Sequence, residues 1–310
     1  MKNDKSILIL VRSGPNSLHK AWISDDCIFD IISIPYKETG EKSVKNCISM
    51  PVAQGQKWNP LYRYIFDNLD FVSRYEYVWL PDDDLDIHLD NLNSFFSAVL
   101  LDRPALAQPA LTWDSYFSHI LTLAFPGCYA RDVEFIEIMA PLFSVEALVS
   151  CLWTFNQNVS GWGLEMLWTK IIRSSNFANC SSQILIYDKC TMRHTRPVGG
   201  QSRGVVANGF QDPKKEKHDL LDLWGLIPNR RINGFYLKSE NIPGLNIDKF
   251  IGIDDERYVE IAVSALSKLR EVSPKIFDRK LRPKSQGGEM FDASVVRRVL
   301  KVLSGRIQLH

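Results

Sequence analysis

Residues 75–87 read YEYVWLPDDDLDI: an aromatic and β-branched run, one proline, then three consecutive carboxylates, Asp82, Asp83 and Asp84, with Asp86 close behind. The run YEYVWL has the composition of a buried strand, and Pro81 ends it. The aspartates therefore stand at a strand's carboxyl end, where open α/β sheets place their ligand crevices. Three adjacent carboxylates repel one another in a low-dielectric cleft unless a cation or solvent neutralises them. Hard oxygen ligands of this kind suit Mg²⁺ or Mn²⁺ shared with substrate phosphates. The same residues also suit a solvated acidic turn that caps a helix beginning near Asp90, because Asp is common at caps and turns.

Outward from this stretch, short apolar runs alternate with segments of helical period. ILILV at 7–11, IFDIISI at 28–34, ALAQPAL at 105–111 and ILIY at 184–187 read as further strands, and FIEIMAPLF at 135–143 suits another. Between them, Leu61, Tyr64, Ile65 and Leu69 form one helical stripe, and Leu92, Phe95, Phe96 and Val99 a second. Val145, Leu148, Val149 and Leu152 make a third, and Leu164, Leu167, Trp168 and Ile171 a fourth, which leaves Glu165 off the core side. This alternation predicts an α/β fold with a mainly parallel central sheet flanked by helices.

The chain has 310 residues, 37 Lys+Arg against 36 Asp+Glu, and 45% hydrophobic residues, the proportions of an ordinary folded protein. A net charge of +1 argues against a dedicated nucleic-acid binder. The six cysteines form no C-x-x-C pair, so neither a zinc ribbon nor a redox pair is expected. No apolar run approaches a signal-peptide core or the roughly 20 residues that span a bilayer, which predicts a cytoplasmic protein.

Composition shifts after about residue 197. A glycine-rich stretch and the polar QDPKKEKHD at 211–219 read as loop or linker, followed by amphipathic helices in DLLDLWGLI and DERYVEIAVSALSKLREV. A catalytic domain over 1–205 and a mostly helical extension over 206–310 are expected. Residues 268–310 carry eleven Lys/Arg against four acids. A basic amphipathic segment there suits peripheral contact with an anionic membrane surface at the cell's inner face; a helix packed on the body with its cations outward explains it equally.

A strand ending in D-x-D, an acidic helix start after it and a late histidine together resemble the GT-A glycosyltransferases. More narrowly, the chain is similar to the DUF707 family of glycosyltransferase-like proteins in YEYVWLPDDDLDI, LAQPAL at 106–111, FIEIMAPLFS at 135–144, QNVSGWGLEMLW at 157–168, the Asp188-to-His194 interval, Pro197 and Gly199-Gly200. These pieces keep their order over roughly 75–200, and no counterpart exists beyond about 205.

The resemblance implies a GT-A fold, a nucleotide-sugar donor such as a UDP-sugar, and a saccharide or glycoconjugate acceptor, as in surface polysaccharide or glycoconjugate synthesis. It implies that Asp84 and His194 bind the metal, with Asp82 sharing that shell or meeting the nucleotide ribose beside Asp83. A histidine among the ligands shifts the preference toward Mn²⁺. Val11, Arg12 and Ser13 on the first strand would lie nearest the nucleotide, and Lys57 of a Lys-Trp pair would approach it or its phosphates. Arg196, with Arg193, suits a diphosphate clamp. Glu165 in GWGLE stands where inverting members carry the base that takes the acceptor's proton, and Glu137, in an apolar run, is a second candidate. Surface or helix-capping roles suit the same residues. A non-catalytic nucleotide- or carbohydrate-binding protein and a metal-dependent phosphotransferase or nucleotide hydrolase remain open, although P-loop and kinase motifs are missing.

Overall fold

The computed structural model describes residues 5–40, 42–125, 127–197, 212–228, 232–237 and 250–252. The described residues form eleven strands: β1 (Ile7–Ser13), β2 (Phe29–Pro35), β3 (Cys47–Ser49), β4 (Tyr77–Trp79), β5 (Leu85–Asp86), β6 (Pro104–Leu111), β7 (Cys128–Val133), β8 (Leu142–Ser144), β9 (Ser181–His194), β10 (Ile232–Leu237) and β11 (Phe250–Gly252). The helices are α1 (Trp58–Asp67), α2 (Leu69–Val72), α3 (Leu89–Asp102), α4 (Val145–Cys151), α5 (Leu164–Arg173) and α6 (Pro213–Leu223), joined by short 3₁₀ turns that include Leu18–Trp22 and Leu152–Asn156.

The sheet runs β11-β10-β7-β9-β6-β8-β4-β1-β2-β3, and β5 pairs with the end of β9. From β3 to β4 all pairings are parallel. β8 then enters antiparallel between β4 and β6, β6 and β9 are parallel, and the edge β9-β7-β10-β11 is antiparallel. The α/β class expected from sequence is thus present, but the sheet is mixed, its parallel character confined to one half and the β6/β9 pair.

Side chains alternate across the sheet as strand geometry requires. Leu8 and Leu10 of β1 and Val78 of β4 join α1, α4, α5 and α6 in one core; Ile7, Ile9, Val11, Tyr77 and Trp79 join α3 and the Leu18–Trp22 turn in the other. Both faces of β1 are covered, which is why its first five residues, Ile7 to Val11, are all apolar.

Several expectations are corrected. FIEIMAPLF yields strand only at β8, because the carbonyls of Ile138, Met139 and Pro141 bond Lys57, Asp82 N and Leu80 N in place of a ladder. Val149 is exposed, and α4 instead buries Ala147, Leu148 and Cys151. The polar stretch read as linker begins α6: Asp212 accepts from Lys214 N as N-cap, and Pro213 follows at the first helical position. Leu220, Leu221, Ile232 and Phe235 pack in the same core as α1, α4 and α5, and β10 pairs with β7. The basic segment over 268–310 lies outside the described residues. Among the described residues no helix is long and apolar enough to cross a membrane.

Candidate functional site

The chain passes from β1 to β2 and β3 on one side of β1, then returns to place β4 on its other side. The carboxyl ends of β1 and β4 therefore bound a topological switch point, the place where a doubly wound sheet opens a crevice. Asp82, Asp83 and Asp84 follow β4 into that crevice, and Gly14 follows β1.

The three carboxylates have different partners. Asp82 Oδ1 accepts from Lys57 Nζ at 2.7 Å, and its backbone N–H donates to Met139 O at 2.7 Å. Lys57 Nζ also donates to Ile138 O at 2.7 Å and to Met139 O at 3.3 Å, and it lies 5.0 Å from the Trp58 ring. Three acceptors occupy the three ammonium protons, so Lys57 clamps the 137–141 loop to Asp82. Burial pushes the Lys57 pKa down, and Asp82, Asp84 and Asp83 push it back up.

Asp83 is buried and closes the crevice floor. Its Oδ2 accepts from Gly14 N at 2.9 Å and Tyr36 Oη at 3.2 Å, and its Oδ1 from Arg196 Nη1 at 3.1 Å. Arg196 Nη2 donates to Asn16 O at 2.6 Å. Burial raises the Asp83 pKa, while Arg196 and the Gly14 N–H oppose the rise. A Cβ at Gly14 would stand 2.1 Å from Tyr36 Oη, so only glycine lets the backbone come this close to Asp83.

Asp84 differs from both. Its Oδ2 lies 3.4 Å from His194 Nε2, its side chain is only 12% exposed, and its Oδ1 is buried with no hydrogen-bond partner among the described residues. Its backbone carbonyl accepts from Thr195 N at 3.1 Å and Thr195 Oγ1 at 2.8 Å. His194 arrives because β5 and β9 pair Leu85 with His194. His194 Nδ1 is 2.8 Å from Tyr116 O, a carbonyl that only accepts, which places a proton on Nδ1 and leaves Nε2 facing Asp84. Burial lowers the imidazole pKa, but the hydrogen bond and charge of Asp84, the Tyr116 carbonyl and the Asp82 charge outweigh it and raise the value to about 9.

The histidine's position depends on a feature of β9. Between β6 and β9 the register jumps from Pro109↔Tyr187 to Ala110↔Thr191, leaving residues 188–190 as a bulge opposite a proline that cannot donate to the ladder. Asp188 in that bulge takes Arg131 Nε at 2.9 Å, Arg131 Nη2 at 2.9 Å and Phe125 N at 2.8 Å. The interval from Asp188 to His194 is therefore anchored at its start by a buried ion pair.

The remaining expected residues divide. Val11 is core, and Ser13 Oγ is 2.7 Å from Ser33 Oγ inside the sheet. Arg12 spends Nη1 on Ile34 O at 3.0 Å and Nη2 on Ala53 O at 2.6 Å and Gly55 O at 3.0 Å, and desolvation brings its pKa down to about 10. All three are buried, with the Arg12 Nη1 and Nη2 and the Ser13 Oγ hydrogen-bonded within the protein. Arg193 pairs with Asp114 at 2.9 Å on the exposed surface. Glu165 is buried, contrary to its reading as an off-core position, and its Oε2 accepts from Gly163 N at 2.8 Å, capping its own helix. Glu137 is buried too; its N–H donates to Gln108 Oε1 at 2.7 Å, on the loop whose carbonyls hold Lys57.

Sequence reasoning missed Gly14, Tyr36, Tyr116 and Thr195. Only Gly14, directly after the first strand, carried a recognisable signal.

No protein-family model matches the chain, and no curated protein matches it. Among solved structures it is similar to S. aureus TarS 1-349, with 10% identity and a TM-score of 0.37 over 61% of this chain and 60% of that one. For TarS 1-349 in complex with UDP-GlcNAc the values are 9%, 0.42, 70% and 64%, and for its complex with UDP 9%, 0.39, 62% and 60%. The chain thus spans less than two thirds of the length of these structures.

Proposed function

We propose that the protein is a glycosyltransferase that binds a nucleotide-sugar donor in the crevice at the carboxyl ends of β1 and β4 and transfers the sugar to an acceptor hydroxyl. The observation that carries this reading is Asp84: a buried carboxylate oxygen without a hydrogen-bond partner among the described residues, beside His194, at a topological switch point. A buried polar atom left unsatisfied costs about 1–3 kcal/mol, so its retention points to a ligand.

A divalent cation fits part of this site. Asp84 and His194 offer an oxygen and a nitrogen, a pair compatible with Mn²⁺ or Mg²⁺. Asp82 is matched by Lys57 and Asp83 by Arg196, Tyr36 and Gly14. Among the described residues no group of three His, Cys, Asp or Glu is placed to hold a metal ion. Asp84 and His194 would hold the ion, and diphosphate oxygens and water would complete its shell. Bound there, a cation neutralises charge on a departing nucleoside diphosphate. Arg196, partly exposed at the crevice, can exchange Asp83 for phosphate oxygens, which its planar guanidinium matches. Glu165 and Glu137 are the candidate acceptor bases.

Lys57 and Arg196 neutralise two of the three aspartates without any metal. That favours, as a second reading, a nucleotide-binding protein whose affinity is independent of cations. Calorimetric titration with nucleotide-sugars, with and without Mn²⁺, separates the two. The transferase reading expects Mn²⁺-dependent binding and slow donor hydrolysis in the wild type, loss of the Mn²⁺ dependence in Asp84→Ala, and binding without turnover in Glu165→Gln. Binding that ignores Mn²⁺ and yields no turnover supports the second reading. No binding of any nucleoside diphosphate overturns both.

A further inference from the structure

On the core face that carries α1, a separate cleft of about 750 Å³ opens between α1, the Leu152–Asn156 turn and α6. Six of its lining side chains are amides: Gln54, Gln56, Asn59, Asn156, Gln157 and Asn158. Two of them are tied together, Asn59 Nδ2 donating to Asn156 Oδ1 at 3.1 Å, which leaves Asn59 Oδ1 and Asn156 Nδ2 open to a ligand. Gln54, Asn59, Asn156 and Gln157 are exposed. Asn158 shapes the rim, accepting from Gly161 N at 2.8 Å and donating to Trp162 O at 2.9 Å.

The charged lining residues are one cation, Arg63, and two carboxylates, Asp219 and Glu216. The Glu216 carboxylate is spent on Ser160 N at 2.8 Å and Val159 N at 3.4 Å. The lining therefore lacks the cationic excess that a phosphate or polyanion requires. Amides present donors and acceptors side by side, matching hydroxyl groups that do both.

Beside the amides stands an aromatic platform. Trp153 and Trp224 are 41% and 44% exposed, with ring centroids 5.1 Å apart and planes tilted by 59°. In a 3₁₀ turn residues i and i+3 eclipse, so Trp153 faces the same side as the cleft residue Asn156. Trp224 follows Leu223 and stands one helical turn beyond Leu220, and both of those leucines line the cleft. Solvent-exposed indoles hold apolar surface in water, an unfavourable exposure that a stacking apolar ligand face removes.

We propose that this cleft and its Trp153–Trp224 platform bind a neutral oligosaccharide, the C–H faces of its rings against the indoles and its hydroxyls on the amides. The cleft walls continue into the site described above: Gly55 and Gln56 lead directly to Lys57, and Asn158 and Val159 lead to Gly161-Trp162-Gly163 and Glu165. The binding claim stands without turnover; that the bound glycan is acceptor or product rests on the transferase reading.

The test titrates the full chain calorimetrically with neutral hexaoses of four kinds: malto-, cello-, chito- and mannohexaose. At least one binds saturably, and Trp153→Ala, Trp224→Ala and Gln157→Ala each weaken it by at least about fivefold. Nucleoside-diphosphate binding is unchanged in these variants, so failure here and failure of the transferase reading are told apart. The replaced side chains are exposed, and Gln157→Ala keeps the test readable if a tryptophan variant loses its fold. Absence of saturable binding by all four hexaoses overturns the proposal. So does binding that both tryptophan variants leave intact, or a change in sedimentation without a change in hexaose affinity, which marks the platform as a protein contact.

Discussion

Arg131 on β7 grips Asp188 in the β9 bulge with two nitrogens, Nε and Nη2, each at 2.9 Å, and both side chains are fully buried. The same guanidinium donates to Leu121 O at 2.6 Å and Leu123 O at 2.8 Å and stacks 4.1 Å from the Phe125 ring. Every N–H direction of the fork that these partners use is fixed, so the bulge has one register. Because the bulge sets where β9 meets β5, the ion pair positions His194 six residues downstream.

Asp188→Asn removes one charge of this pair and leaves the other buried and uncompensated, a loss of about 3–5 kcal/mol. Arg131→Lys fails to restore it, since an ammonium cannot reproduce the two-point contact. Urea unfolding midpoints check both. Replacing both residues with apolar ones costs less than the sum of the single losses; strict additivity would show that the two do not act as a pair.

Lys57 has a positioning role, and it too is testable by a cycle. Lys57→Met strips Asp82 Oδ1, Ile138 O and Met139 O of a shared donor, and charged hydrogen bonds of this kind contribute about 1.5–3 kcal/mol each before compensation by water. The expected net loss is about 2–3 kcal/mol. Asp82→Asn in the Lys57→Met background costs less than it does in the wild type, with a coupling of at least about 1 kcal/mol. If instead Lys57→Met leaves stability intact and only weakens nucleotide binding, the ammonium serves phosphate after all.

The parallel half of the sheet was legible because its strands are largely buried: ILILV is apolar throughout, IFDIISI is broken only by Asp30 and Ser33, and their helices carry clear stripes. What escaped was whatever tertiary partners create. CYARDV becomes β7 only because Asp188 compensates Arg131, and a lone charged pair inside a strand reads as a turn. FIEIMAPLF has strand composition, yet Lys57 claims its carbonyls, a contact 81 residues apart in sequence. In the site, the aspartates and His194 could be marked by spacing, but their inequality could not. Which carboxylate is paired, which is saturated and which has a bare oxygen depends on Lys57, Tyr36 and Arg196, from three separate parts of the chain.

Gly14→Ala tests the closeness of β1 to Asp83. The new Cβ would lie 2.1 Å from Tyr36 Oη and 2.3 Å from its Cζ, forcing the phenol aside and breaking its bond to Asp83 Oδ2. Overpacking of this kind costs about 1–3 kcal/mol. Tyr36→Phe does not relieve it, because the ring carbon still clashes. Gly14→Ala combined with Tyr36→Ala is no less stable than Tyr36→Ala alone, since the clashing partner is gone. Thermal unfolding of the three variants decides it, and a large further loss in the double variant would place the constraint in the Gly14 backbone instead.

Asp84 gives a prediction that needs no turnover. In the ligand-free protein Asp84→Asn both weakens the contact to His194 Nε2 and replaces a buried, unpartnered carboxylate oxygen with a neutral amide atom, which costs less to leave unpaired. These effects oppose each other, so the net change in stability is within about 2 kcal/mol. A ligand that binds only the folded state adds RT ln(1 + [L]/Kd), about 2.7 kcal/mol at a hundredfold excess over Kd. Adding Mn²⁺ to UDP should therefore raise the unfolding midpoint of the wild type beyond the shift that UDP alone gives and add nothing to that shift in Asp84→Asn, while UDP alone shifts both proteins alike. An equal Mn²⁺-dependent shift in the two proteins would place the cation elsewhere and leave the bare Asp84 oxygen without a role in holding it.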